Sequence, residues 1–148
     1  MRFWTYIVAL AVIEWLAPTS VSSEMPFSYS SIRSSCAPWD GPAIEIVLTQ
    51  KPAECKEPRG AYIEIGVWRG FPIHAGQTVT FSPTSDTGFA TRCAKADNCK
   101  RAESGTIVFE RYQDGSGAAG RYELRFKGGE TLRGTFDAKW CQLRVFCG

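Results

Sequence analysis

Six cysteines, Cys36, Cys55, Cys93, Cys99, Cys141 and Cys147, follow an apolar leader and constrain this chain more than any other feature. An even set of cysteines behind an export-like segment reads as a disulfide framework, because thiols stay reduced inside the cell and pair in oxidising compartments. Fifteen complete pairings are open to any six cysteines. Geometry narrows them. Cys93 and Cys99 bracket the short polar stretch CAKADNC, which closes easily on itself. Cys141 and Cys147 lie in a run that reads as strand; if extended they stand ~20 Å apart, beyond disulfide reach. The simplest assignment therefore joins Cys36 to Cys147 and Cys55 to Cys141. A zinc site is the rival use of cysteine. It lacks support, since the chain has no C-x-x-C pair and one histidine.

The leader MRFWTYIVALAVIEWLAPTSVSS carries Arg2 at its positive end and a nearly unbroken apolar run over residues 3–13. Val21 and Ser23 supply small side chains for cleavage, which places a mature start at Glu24. The run is too short to cross ~30 Å of hydrocarbon, and Glu14 is costly inside it. The expected organisation is a signal peptide over 1–23, a lead-in over 24–35 and one disulfide-stapled domain over 36–148. The expected location is secreted or periplasmic, with no stable membrane insertion. A net charge of +2 is too weak a field to call for nucleic acid.

Beyond the leader the pattern is strand and turn. Ile44, Ile46 and Leu48 alternate with Glu45, Val47 and Thr49; Ile63, Ile65 and Val67 repeat the period, with Tyr62 and Trp68 lending the other face apolar weight. Val79 and Phe81 mark a short strand. Ile107 and Phe109 begin another, with Val108 and Tyr112 on its opposite side. Tyr122, Leu124 and Phe126 alternate with charged residues, Leu132 and Phe136 form the partner strand, and a last strand runs from Trp140 to Phe146. Residues 80–98 give no strong strand signal and fit a surface loop or a short helix. These features predict an all-β fold, a small antiparallel β-sandwich or partly open barrel of about seven strands, stabilised by disulfides. In the KGGET hairpin, a three-residue loop over 128–130 pairs Phe126 with Leu132, Leu124 with Gly134 and Tyr122 with Phe136. It sets Arg125 against Arg133 and predicts an aromatic packed across Gly134.

No catalytic constellation stands out, and no cofactor is expected. Gly115, Gly117 and Gly120 match the spacing of a dinucleotide loop, but they lead into a strand, not into the helix start that binds pyrophosphate. His74 is the sole histidine and has no nucleophile presented beside it. Trp39 and Asp40 sit in the turn-forming stretch CAPWDGP, where a tryptophan on a rigid turn serves either as packing or as a binding anchor. Asp40 is a candidate acidic partner for Glu45 or Glu64, though nothing in the sequence fixes their separation. Trp39, Asp40 and His74 are thus the candidate ligand-binding residues. Arg92, Lys95, Lys100 and Arg101, and separately Arg121, Arg125, Lys127 and Arg133, form basic stretches that suit an anionic partner or, more simply, a solvated strand face.

The succession CAPWDGPAIEIVLT, YIEIGVW, GTIVFERY, GRYELRFKGGETLRGTFDAKW and FCG resembles small bacterial exported β domains, periplasmic or lipoprotein-like. The resemblance spans residues 36–148 and implies a secreted β fold with no activity attached. The chain departs from the lipoprotein form in lacking a leader cysteine. The expected function is a secreted or periplasmic binding module whose partner is an extracellular or periplasmic protein or glycan. The alternative is a small hydrolase or ligand carrier with a pocket near His74 or Asp40.

Overall fold

A computed structural model describes residues 27–53, 55–143 and 145–148. The expected signal peptide at 1–23 lies outside the described residues. Among the described residues nine strands follow one another: β1 (Tyr29–Cys36), β2 (Pro42–Thr49), β3 (Tyr62–Val67), β4 (Thr78–Phe81), β5 (Gly88–Lys95), β6 (Asn98–Arg101), β7 (Ser104–Gln113), β8 (Gly117–Arg125) and β9 (Thr131–Cys141). They form one sheet in the order β4-β7-β8-β9-β1-β2-β3-β5-β6. Every neighbouring pair is antiparallel except β1 and β9, which run parallel.

The sheet curls into an open half-barrel, and its concave side holds the main core. Ile32, Ile46, Leu48, Ile63, Ile65, Val67, Ile107, Phe109 and Leu124 there are fully buried. Period-two alternation is what sends these residues inward. Near the outer strands the curl brings distant segments together. The Thr87 hydroxyl donates to the Thr80 carbonyl at 2.6 Å. The connector after β6 bonds first to β5, Ala102 N–H to Ala90 O at 2.9 Å, and then to β8, Glu103 N–H to Arg125 O at 2.7 Å. Arg92 of β5 also ion-pairs with Glu130 in the β8–β9 turn and lies over the Phe126 ring.

Three disulfides fasten this sheet: Cys36–Cys147, Cys55–Cys141 and Cys93–Cys99. Cys93 and Cys99 face each other across the β5–β6 hairpin, so the short bridge is a cross-strand pair. Among the described residues no helix is long and apolar enough to cross a membrane.

Several expectations need correction. The stretch read as a lead-in contains β1, which pairs with β2 on one side and β9 on the other, so the folded unit includes residues well before Cys36. Residues 80–98 are neither loop nor helix throughout, because β5 fills much of them. The last strand is β9, which begins at Thr131 and ends at Cys141. Beyond it the chain turns at once, with Leu143 N–H bonded to Cys141 O at 2.8 Å. The β8–β9 register is shifted from the expected one: Leu124 faces Leu132, Tyr122 faces Gly134 and Gly120 faces Phe136. The inward face is unchanged, since the shift is by an even number of residues. Glu123 now stands opposite Arg133, and the two pair at 2.9 Å, which removes the Arg125–Arg133 confrontation. The predicted aromatic across Gly134 is Tyr122.

Tyr112 also changes sides. The β7–β8 register shifts between Phe109 and Arg111, so an extra residue enters β7 at Glu110. This bulge lets Phe109 and Tyr112, three positions apart, both face the concave side. Their rings meet edge to face at 5.9 Å.

Candidate functional site

The three candidate residues are not gathered into one site. Trp39 and Asp40 occupy the turn joining β1 to β2, closed by Asp40 N–H to Ala37 O and Ala37 N–H to Gly41 O, both 2.9 Å. Asp40 adopts a left-handed φ of 61°, a conformation that a short polar side chain tolerates. Its carboxylate packs against Gly148, which the Cys36–Cys147 bridge holds beside the turn. His74 lies in the exposed loop before β4. Its N–H donates to Gln77 Oε1 at 3.1 Å and its carbonyl accepts from Gln77 N–H at 3.1 Å, the bonding of a local turn.

The acidic pair that forms is Glu45 with Glu64, and Arg33 completes the cluster. All three project from the convex side of β1, β2 and β3. Arg33 ion-pairs with Glu45, which is buried. Burial raises the Glu64 carboxyl above its ordinary value; the Glu45 charge adds to this and Arg33 opposes it, with Glu57 pushing weakly upward. A buried, ion-paired carboxylate on a sheet face is a structural arrangement.

Trp39 does have partners, and they make a surface. Its ring meets Trp68 edge on at 6.2 Å, and Trp68 meets Phe89 at 5.3 Å. The Arg69 guanidinium stands 4.5 Å from the Trp39 ring centre, and that of Arg101 5.9 Å from Phe89. The row is possible because Phe89 lies flat across Gly66, its cross-strand partner; a Cβ on Gly66 would collide with the ring. Trp39 remains 44% exposed at the end of the row. Val145 and Phe146, also exposed, belong to the terminal segment that the Cys36–Cys147 bridge ties to the same turn. The result is an aromatic and arginine face on the convex side, running toward one end of the half-barrel.

No family model matches the chain, and neither a curated protein nor a solved structure matches it.

The sequence points to Trp39, and to Arg101 only as part of a basic stretch, but not to Phe89 or Arg69. Gly66 was the available signal, a glycine inside a strand where another group passes close. The arginines of the second basic stretch, with Arg111 beside them, are ion-paired. Arg121 bonds Glu110, Arg111 bonds Asp137, and Glu123 accepts from both Arg125 and Arg133. Those two bonds, Arg133's first, hold the Glu123 carboxyl below its ordinary value. Such interleaved pairs neutralise the outward face of β7, β8 and β9 and leave little field for a polyanion.

Proposed function

We propose that this protein is an exported binding module that docks a protein partner through the face built by Trp39, Trp68, Phe89, Arg69 and Arg101. The observation that carries this reading is Trp39 itself, a large aromatic left 44% exposed although its turn is fixed by backbone bonds and a neighbouring disulfide. A rigidly held aromatic loses little entropy on binding and offers large contact area. Tryptophan and arginine are also the residues most enriched among those that dominate interface energies. The filled concave core supports a binding role for the convex side, since the sheet needs no further cover there to be stable. The leader and the cysteines favour action outside the cytoplasm.

A photo-crosslinking residue at position 39, introduced into the full chain in its producing cells, tests this. The expected result is a discrete higher-mass adduct from position 39 and none from the exposed turn position Lys127. No adduct at position 39, or equal adducts at both, overturns the proposal. An adduct that disappears on glycosidase treatment assigns the face to a glycan and overturns the protein assignment.

A further inference from the structure

A cleft of about 520 Å³ opens at the same end of the half-barrel, on the concave side; Trp39, Trp68 and Phe89 do not line it, though Val145 and Cys147 of the terminal segment do. Its aromatic lining comes from three parts of the chain. Tyr112 is turned inward by the β7 bulge, Trp140 closes the inward row of β9, and Phe71 comes from the loop between β3 and β4. Tyr112 and Trp140 stand edge to face at 6.2 Å with an interplanar angle of 76°, so their rings form two roughly perpendicular walls. Asp114 is the only charged side chain among the described lining residues. The Tyr112 hydroxyl donates to Asp114 Oδ1 at 3.5 Å, the long limit of a hydrogen bond, which leaves the carboxylate free to accept from elsewhere.

That combination selects a ligand by charge. Aromatic faces present negative potential and attract organic cations, most of all those whose alkyl groups keep water away from the charge. Asp114 adds a formal negative charge at the rim. None of the described lining residues is basic, and Asp114 repels an anion at the rim. We infer that this cleft is a binding site for an alkylated ammonium ion, seated between Tyr112, Trp140 and Phe71 with its charge toward Asp114. The cleft volume exceeds that of a bare trimethylammonium group and leaves space for an apolar or hydroxylated tail. The bulge at Glu110 is then what builds the site, since a regular strand turns Tyr112 to the opposite face.

The test is a nuclear magnetic resonance titration of the oxidised protein with choline and, in parallel, with its uncharged tert-butyl isostere, dimethylbutanol. The expected result is saturable shifts at the Trp140 indole and Tyr112, none at Trp39 or Trp68, and binding of choline about tenfold tighter than the isostere. Asp114→Asn changes one exposed side chain and is expected to remove most of that preference while the remaining resonances stay in place. Equal binding of the two probes, or a preference untouched by Asp114→Asn, reduces the cleft to an apolar groove and overturns the inference. Absence of shifts with either probe overturns it as well. Crosslinking from position 39 is indifferent to these outcomes, so the two readings fail separately.

Discussion

A side chain at position 134 has to displace Tyr122, whose hydroxyl oxygen would lie 2.5 Å from the added Cβ and whose Cζ would lie 2.8 Å from it. Gly134→Ala is therefore expected to destabilise the fold by about 1–3 kcal/mol, the usual cost of forcing a packed ring aside. Urea unfolding measures it, and a change within a few tenths of a kcal/mol would show that the ring is not packed there. Glu64 gives a prediction of the opposite sign. Its raised folded-state value means that the folded protein holds this proton more tightly than the unfolded chain does. Its contribution is fully favourable below the ordinary value of 4.5 and is lost as pH rises through the folded value. Glu64→Gln should accordingly raise the melting temperature at pH 7, with the gain fading below about pH 4. A lower melting temperature at pH 7 would mean that attraction to Arg33 outweighs burial. At this scale Trp39 was legible, because a tryptophan beside Asp40-Gly41 announces itself as a turn residue. Phe89 was not. Alternation assigns a residue to a face, but the neighbour it meets across Gly66 depends on a strand pairing far off in sequence.

Strands differ in how openly they declare themselves. β8 alternates apolar and charged residues and was readable directly. β1 is largely serine, with Ile32 its one fully buried side chain, and it is a strand because β2 and β9 supply partners on both sides. Tertiary context of that kind leaves no local pattern. The bulge in β7 was equally hidden, and it has a measurable signature. Burial, with the Asp114 charge and hydrogen bond adding to it, pushes the Tyr112 hydroxyl up to about 12. Deleting Glu110 should restore regular alternation, turn Tyr112 outward and bring its ionisation back toward 10 in an ultraviolet absorbance titration. A value unmoved by the deletion would contradict the role given to the bulge. The bridges can be ranked by the chain they close. Cys36–Cys147 spans 111 residues and Cys93–Cys99 spans 6. On loop-closure entropy the long one contributes about 4–5 kcal/mol and the short one about 2 kcal/mol. Paired serine substitutions should lower the melting temperature more for the long bridge, and the reverse order would refute this ranking.

Taken whole, the molecule is a curled sheet whose concave side is core and whose convex side carries two different surfaces. Over β7, β8 and β9 that surface is interleaved ion pairs; over β2, β3 and β5 it includes a buried cluster of Val47, Tyr62 and Cys93 and the aromatic row that ends at Trp39. The all-β class and its disulfide stapling could be read from alternation and cysteine count. The curl could not, because it depends on the parallel β1–β9 pairing and on hydrogen bonds that join β5 and β8 through the connector between β6 and β7. On the proposed reading Trp39 serves binding, with the fold complete without it. The most direct measurement is the affinity of the partner captured at position 39 for the unmodified protein and for Trp39→Ala, with the melting temperature of each recorded alongside. Binding is expected to weaken about thirtyfold or more, as for a dominant interface residue, with the melting temperature nearly unchanged. Unchanged affinity, or a collapse in stability that accounts for the loss, would contradict it.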